Sequence, residues 1–337
     1  MNISLFTYTK NGCKTAIKAL NCFEEAETKV YAPERFLKDG FLSLEQAHNF
    51  EDIFMWSDLV IFVASCGIAV RKIAPFIKDK CTDPAVVCVD ESGKYVIPLL
   101  SGHIGGANRF AKAIAEALNA VCVITTATDI EGKFSVDSWA EKQGFVIDDM
   151  SIAKDVSAHI LENDVPLLSE FNILSRLPNG VIRGENGKIG IYVGTHIKAP
   201  YDRTLRIITP VLHLGIGCRK GTPKEAIREL VETVLLENNI DKRSVKCVAS
   251  IDIKSHEPGL LEYCKENDLD IIFYSAEKLK SIKGEFTASS FVKDITGVDN
   301  VCERAAIMGA EKLTVRKRAA NGVTVAIAEE GCELRFE

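Results

Sequence analysis

The segment SGHIGGAN, residues 101–108, sets a histidine beside a glycine pair just ahead of the helix-forming run RFAKAIAEALNA. Gly105 and Gly106 at a helix start would let backbone N–H groups approach an anionic oxygen closely. His103, with a reference pKa near about 6.5, is suited to proton transfer at neutral pH. A tight turn carrying a structural histidine is the plainer use of the same residues. The spacing matches neither a dinucleotide fingerprint nor a phosphate loop. Asp129 and Asp137 bracket a short loop and could activate water or orient His103; satisfying turn amides and capping a helix are their structural alternatives.

Two cysteines sit in comparable settings. Cys66 lies between Ser65 and Gly67 at an expected helix start near Arg71, and Cys218 lies between Gly217 and Arg219. Each is either a nucleophile with a lowered pKa or an ordinary buried thiol. Lys254 with Glu257, after a strand end, and Glu303 with Arg304, on a helix, read as solvated ion pairs. Arg71, Arg109, Arg219 and Lys220 flank the candidate loops, which suits carboxylate recognition and surface solubility equally.

These residues need elements to hold them. Asp58–Ala64, Ala85–Val89 and Tyr95–Leu99 read as strands, the last two joined by the polar turn Asp90-Glu91-Ser92-Gly93, so the first sheet is expected to be mixed. IAVRKIAPFIKDK follows Ser65-Cys66-Gly67 as a helix that Pro75 kinks or restarts. AVCVITTATD gives a further buried strand ending in the hydroxyls of Thr125 and Thr126. Asn186-Gly187 signals a hairpin. In VLHLGIGCRKGTPKEAI, Thr222 is expected to cap a helix, with Pro223 first in it and Glu225 completing a capping box. Val245–Ile251, Asp270–Tyr274, Lys312–Val315 and Val323–Ala328 are further strands, with helices near Gly259–Glu266 and Asn300–Met308.

The fold class is α/β, with N-terminal and C-terminal α/β sandwich domains built on parallel or mixed sheets and joined by a smaller α/β middle region. The expected boundaries are 1–135, 136–194 for the middle region, 195–210 for a linker containing Pro200 and Pro210, and 211–337. In open α/β sheets ligands collect beyond the carboxyl ends of strands. The segments SCG (65–67), SGHIGG (101–106), TTATD (125–129) and GIGCRKG (215–221) all follow strands, which suggests a binding cleft. Within them we place the substrate contacts at Arg71, Gly105, Gly106, Asn108, Arg109, Thr125, Thr126, Gly217, Cys218 and Arg219.

Composition narrows the classes. The 337 residues are 47% hydrophobic, enough for two or three buried cores. The longest apolar run, Leu59–Ala64, is far short of a membrane span, and MNISLFTYTK lacks a long hydrophobic leader. Eleven cysteines, an odd number with no CxxC pair, fit neither a disulfide framework nor a zinc ribbon, so reduced thiols in a cytoplasmic protein are expected. A net charge of -6 disfavours nonspecific nucleic-acid binding yet leaves local anion sites open. GIGCRKG lacks the lysine-serine/threonine ending of a nucleotide phosphate loop.

The run SCGIAVRKIAPFIKDKCTDPAVVCVDESGKYVIPLLSGHIGGANRFAKAIAEALNAVCVITTATD closely resembles the N-terminal region of the cobalt-precorrin-5A hydrolases, the cobalamin biosynthesis protein G family. HLGIGCRKGTPKEAI, CVASIDIKSHEPGLL, SSFVKDITGVDNVCERAA and GVTVAIA resemble that family's C-terminal domain. The resemblance implies a water-dependent reaction in anaerobic cobalamin synthesis: the ring-A lactone of cobalt-precorrin-5A opens, the two-carbon unit at the bridging carbon leaves as acetaldehyde, and cobalt-precorrin-5B results. It implies no cofactor and no metal site of the protein's own, the cobalt being carried by the substrate. Such chemistry needs activated water, oxyanion stabilisation and proton delivery. We assign His103 as acid/base, Asp129 as its partner and the Gly105 and Gly106 amides as anion donors, with substrate-assisted catalysis as the competing mechanism. The expected partners are the cobalt-precorrin tetrapyrrole and transient contacts with neighbouring pathway enzymes, with no nucleic acid and no membrane; the oligomeric state is left open. A non-catalytic corrinoid-binding or intermediate-handing protein is the alternative function.

Overall fold

A computed structural model describes residues 1–79, 82–102, 105–126, 130–288 and 298–336. The chain is mixed α/β, as the sequence predicts, and divides into two compact units, Met1–Ser138 and Trp139–Glu337.

The first unit carries strands β1 (Asn2–Thr7), β2 (Glu27–Ala32), β3 (Phe41–Ser43), β4 (Leu59–Val63), β5 (Ala85–Val89), β6 (Tyr95–Leu100) and β7 (Val121–Cys122), and helices α1 (Lys10–Leu20), α2 (Phe50–Trp56), α3 (Cys66–Ile73) and α4 (Ala107–Leu118). The sheet order is β3-β2-β1-β4-β5-β6-β7. β4 is buried along its whole length between parallel neighbours β1 and β5, which is why it reads as an unbroken apolar run. On one face Ile3, Leu5 and Val87 pack with Ala16 of α1 and Ala111 and Ile114 of α4. On the other, Phe6 and Phe62 pack with Phe50 and Phe54 of α2 and Ile73 of α3. Burying each large side chain there stabilises the unit by roughly 1.5–3 kcal/mol. Pro75 opens a separate single turn, Ala74–Phe76, after α3 has ended. β5 and β6 pair antiparallel, and the Asp90 carboxylate holds their turn by accepting the Ser92, Lys94 and Tyr95 amides.

The second unit contains two larger sheets. Its first strands are β8 (Val146–Ile147), β9 (Val165–Ser169), β10 (Asn172–Ile173), β11 (Val181–Arg183), β12 (Ile189–Gly194) and β13 (Arg203–Ile208), five of which form a sheet in the order β11-β9-β12-β13-β8. Residues 195–210 are therefore not a linker: β13 lies inside this sheet, paired with β12 over its full length. Pro200 and Pro210 flank the strand rather than interrupting it. Arg206 of β13 meets Asp148 at 2.8 Å and Asp241 at 3.2 Å, and Arg243 meets Asp241 at 2.7 Å. Asn186-Gly187 does not form a hairpin either. β11 and β12 lie on opposite sides of β9, both parallel to it, and the connection passes close over Pro166, where Gly184 and Gly187 sit against the ring.

The remaining strands are β14 (Leu212–Cys218), β15 (Val245–Ile251), β16 (Asp270–Tyr274), β17 (Lys312–Ala320), β18 (Val323–Glu329) and β19 (Glu333–Leu334). β19 pairs with β10, and the others form a sheet in the order β16-β15-β14-β18-β17. Helices Lys224–Glu237 and Pro258–Glu266 cover one face through Ile227, Leu230, Val234, Leu260 and Tyr263. Helix Val301–Ile307 covers the other, so close to β14 that a side chain at Gly215 would overlap the Cys302 carbonyl. β17 and β18 form a hairpin whose two turn residues, Asn321 and Gly322, both have positive φ, the backbone that an Asn-Gly turn favours.

Candidate functional site

His103 and Asp129, expected as the acid/base and its partner, lie outside the described residues. The segments carrying them are nonetheless brought together. The Asn108 side-chain Nδ2, in the first turn of α4, donates to Thr126 Oγ1 at 3.2 Å, tying SGHIGGAN to the threonines that follow β7. Asn108 is buried, whereas Arg109 and Thr125 are exposed beside it. Gly105, Gly106, Asn108, Arg109, Thr125 and Thr126 thus form one patch.

Packing accounts for both glycines. A side chain at Gly105 would press into Ser101 Cβ at 2.5 Å, and Gly106 has φ +77°, where a Cβ is strained. The Ala107 and Asn108 amides already donate to the carbonyls of Ser101 and Gly102, each at 3.0 Å. An anion at this turn would therefore be met by other amides and by the Arg109 guanidinium.

Arg71 and Cys66 belong elsewhere on the same sheet. Because β6 runs antiparallel to β5, its carboxyl end lies beside the start of β5: Leu100 faces Val86, and Ser101 Oγ donates to the Asp83 carbonyl at 3.0 Å. The SCG loop follows β4 at the opposite edge, where the Ala64 amide donates to the Val89 carbonyl at 2.9 Å. Arg71 reaches back to the Gly67 carbonyl at 3.3 Å and stays at that edge. SCG and SGHIGG each follow a strand, but the strand reversal separates them. Cys66 does open α3, and it faces Cys88, whose thiol is pushed up to about 12 by burial and then by Cys66.

In the second unit the carboxyl edge of β14 and β15 gathers GIGCRKG, the segment Asp252–Glu257 and the Asn321-Gly322 turn. Cys218 is half-buried, and its thiol is pushed up to about 11 by burial, with Lys254 drawing it down and Glu257 raising it. It is therefore protonated at neutral pH and unsuited to nucleophilic attack. Arg219 is exposed, with its stem packed on Gly322. Thr222 does not cap the following helix: its hydroxyl donates back to the Arg219 carbonyl at 2.8 Å, closing the GCRKG turn, and Pro223 takes the cap position without a side-chain bond.

Neither expected surface pair is solvated as read, and Glu303 does not pair with Arg304, which meets Asp299 at 2.9 Å instead. Lys254 meets Glu257 at 3.1 Å with side chains only 14% and 7% exposed, and Glu257 also accepts the Gly221 amide. Glu303 is fully buried and accepts from Thr287 N, Asn300 Nδ2 and Lys317 N at 2.7–2.8 Å. The Asn300 side chain in turn accepts the Glu303 amide at 2.9 Å. That reciprocal contact is legible as asparagine at the cap with glutamate three residues on.

A third cluster had no sequence signal. Glu170, after β9, accepts Thr195 N at 2.7 Å, Lys198 Nζ at 3.0 Å and a 2.7 Å contact from His196 Nδ1. Burial alone would raise its carboxyl, but these donors outweigh it and bring the pKa down to about 2. A groove of about 210 Å3 opens beside it, lined by Glu170, Asn172, Glu311, Lys312, Glu329 and Glu330.

Two family models match the chain: "Cobalamin synthesis G N-terminal" over residues 48–129 and "Cobalamin synthesis G C-terminus" over residues 212–328. The chain belongs to the cobalamin biosynthesis protein G family. A relative from Priestia megaterium named cobalt-precorrin-5A hydrolase is 30% identical, over 95% of this chain and 92% of its own. One of the same name from Salmonella typhimurium is 30% identical over 97% of both chains. The crystal structure of a putative cobalamin biosynthesis protein G homolog from Sulfolobus solfataricus is 21% identical, covers 97% of each chain and has a TM-score of 0.44. The N-terminal family segment contains the Asn108–Thr126 patch and the C-terminal one contains the Cys218–Glu257 edge. Among the described residues no helix is long and apolar enough to cross a membrane.

Proposed function

We propose that this protein is a cobalt-precorrin-5A hydrolase. The observation that carries this reading is the match, at 30% identity over 95% or more of the chain, to two relatives bearing that name. In the reaction, water opens the ring-A lactone, the two-carbon unit leaves as acetaldehyde and cobalt-precorrin-5B is formed, as a step of the anaerobic pathway. Cobalt enters and leaves with the tetrapyrrole.

The patch around Asn108 and Thr126 is where we place this chemistry. His103 acts as the acid/base and Asp129 as its partner. Gly105, Gly106 and Arg109 receive developing or resident negative charge, since glycine-loop amides and guanidinium groups both favour anions, and Thr125 and Thr126 offer hydroxyls. Gly217, Cys218 and Arg219, at the edge of a sheet in the second unit, and Arg71, at its own edge of the first unit's sheet, are further candidate contacts for carboxylate arms. Cys218 serves there as a neutral contact. We place the enzyme in the cytoplasm, a reading supported by the free thiols of every described cysteine.

Incubating the purified protein with cobalt-precorrin-5A and assaying acetaldehyde tests the reading. Stoichiometric release over repeated turnovers is expected. Tight binding with no acetaldehyde would replace it with the carrier alternative.

A further inference from the structure

The buried pair at the carboxyl edge of β14 and β15 has a feature that a solvated surface pair lacks. Glu257 is held as a bound carboxylate would be. One of its oxygens accepts the Gly221 amide, in the glycine-bearing turn that follows β14, and the other accepts Lys254 Nζ at 3.1 Å. Gly221 has φ +73° and nothing within 4 Å of where its side chain would stand, so the amide that holds Glu257 borders open space. Arg219 and Lys220, in the same turn, are exposed. Cys218 lies close enough to be influenced by both members of the pair.

The position is also where a ligand belongs. β14 and β15 run parallel, while β18 on the other side of β14 runs antiparallel. Helix Lys224–Glu237 joins β14 to β15 and helix Pro258–Glu266 joins β15 to β16. The carboxyl ends of β14, β15 and β16 therefore lie along one edge of this sheet, and ligands of open α/β folds collect beyond that edge. A buried ion pair adds little net stability, because desolvation offsets its attraction.

We propose that Lys254 and the Gly221 amide form a carboxylate-binding subsite that Glu257 occupies in the ligand-free protein, and that a carboxylate arm of the tetrapyrrole displaces Glu257 to bind. This rests on the tetrapyrrole reading of the preceding section and deepens it. Glu257 is an internal competitor that sets affinity, Lys254 is the recognition residue, and the exposed Arg219 and Lys220 draw the arm in. Glu257→Gln keeps an acceptor for Gly221 but removes the charge that neutralises Lys254. Lys254→Met keeps the apolar stem and removes the cation.

The test is equilibrium binding of cobyrinic acid, a cobalt corrin with free carboxylate arms, and of its uncharged heptamethyl ester, to the full chain and its variants, with melting temperature measured on each preparation. Glu257→Gln is expected to bind the acid about tenfold more tightly than the parent, and Lys254→Met about tenfold more weakly, a shift within the usual range of coupled binding. The gain from Glu257→Gln should vanish in the Lys254→Met/Glu257→Gln double variant, which removes both charges and so avoids an unpaired buried ion. Affinity for the ester should not change. Acid affinities within twofold of the parent in all folded variants would overturn the subsite while leaving the tetrapyrrole reading standing. A parent protein that binds neither the acid nor the ester would overturn both.

Discussion

Asn108 joins the first turn of α4 to Thr126, at 3.2 Å, and so fuses two segments that are 18 residues apart in sequence into one surface. Removing the amide should loosen that junction without emptying the core. Asn108→Ala is expected to lower Tm by about 2–4 °C, the effect of roughly 1 kcal/mol of lost hydrogen bonding in a domain of this size. It should also raise KM for the tetrapyrrole more than it lowers kcat, because the displaced residues bind substrate. Thermal denaturation and steady-state kinetics on one preparation check both, and an unchanged Tm with unchanged KM would show that the contact positions nothing.

Arg71 and Arg109 flank loops that follow neighbouring elements, yet they belong to opposite edges of the first sheet. A five-residue strand such as β4 spans about 17 Å, so one carboxylate cannot engage both guanidinium groups. Arg109→Ala, at the Asn108–Thr126 patch, should raise the substrate dissociation constant several-fold and leave the single-turnover rate at saturation nearly unchanged, since guanidinium groups bind carboxylates but are poor proton donors. Arg71→Ala should act independently, the double variant showing the product of the two separate effects, as for groups more than about 10 Å apart. A double variant no weaker than either single one would mean that they share a ligand group.

Glu170 makes stability depend on pH in a stated direction. Its carboxyl lies at about 2 in the folded protein against an ordinary value of 4.5. The stabilisation is therefore fully present above about 4.5 and fades as pH falls from there toward 2, where the folded form also takes up the proton. Glu170→Gln should lower stability at pH 7 by on the order of 2–3 kcal/mol. The gap between parent and variant in urea unfolding should narrow below about pH 4.5. A gap that stays constant down to pH 3 would assign the loss to packing instead.

Much of this architecture is legible in the sequence, and the exceptions share a physical cause. Val245–Ile251 and Asp270–Tyr274 form the strands expected of them, because their apolar runs and bounding turns are local properties. The Asn-Gly pairs at 186–187 and 321–322 look alike in sequence and differ in the fold. Asn321-Gly322 closes a hairpin, while Asn186-Gly187 lies where the chain crosses Pro166, a difference set by which strand occupies the space between β11 and β12. Lys254, Glu257 and Glu303 carry charges that composition assigns to the surface. What buries them is the approach of a second element, which no local pattern encodes. The patch itself was legible as two segments, but the edge of the sheet on which it lies depends on the reversal at Asp90.

His103 carries the sharpest prediction about chemistry. It stands within SGHIGGAN, one residue after Gly102, whose carbonyl accepts the Asn108 backbone amide at 3.0 Å, so the residue before it adjoins the patch that Asn108 and Thr126 build. Lactone opening and loss of the two-carbon unit both require proton transfer, and an imidazole titrating near neutrality can supply it in either direction. His103→Ala is expected to lower the single-turnover rate of acetaldehyde release by about 100- to 10,000-fold, the usual contribution of general acid–base catalysis, with corrinoid affinity and Tm close to those of the parent. A histidine that only held the turn would respond differently, since its loss would leave turn groups unpaired and lower Tm or affinity first. Rate, affinity and Tm measured together separate the two roles. Near-normal release from a well-folded His103→Ala protein would remove the imidazole from the mechanism and shift the proton transfers to Asp129 or to the carboxylates of the substrate itself.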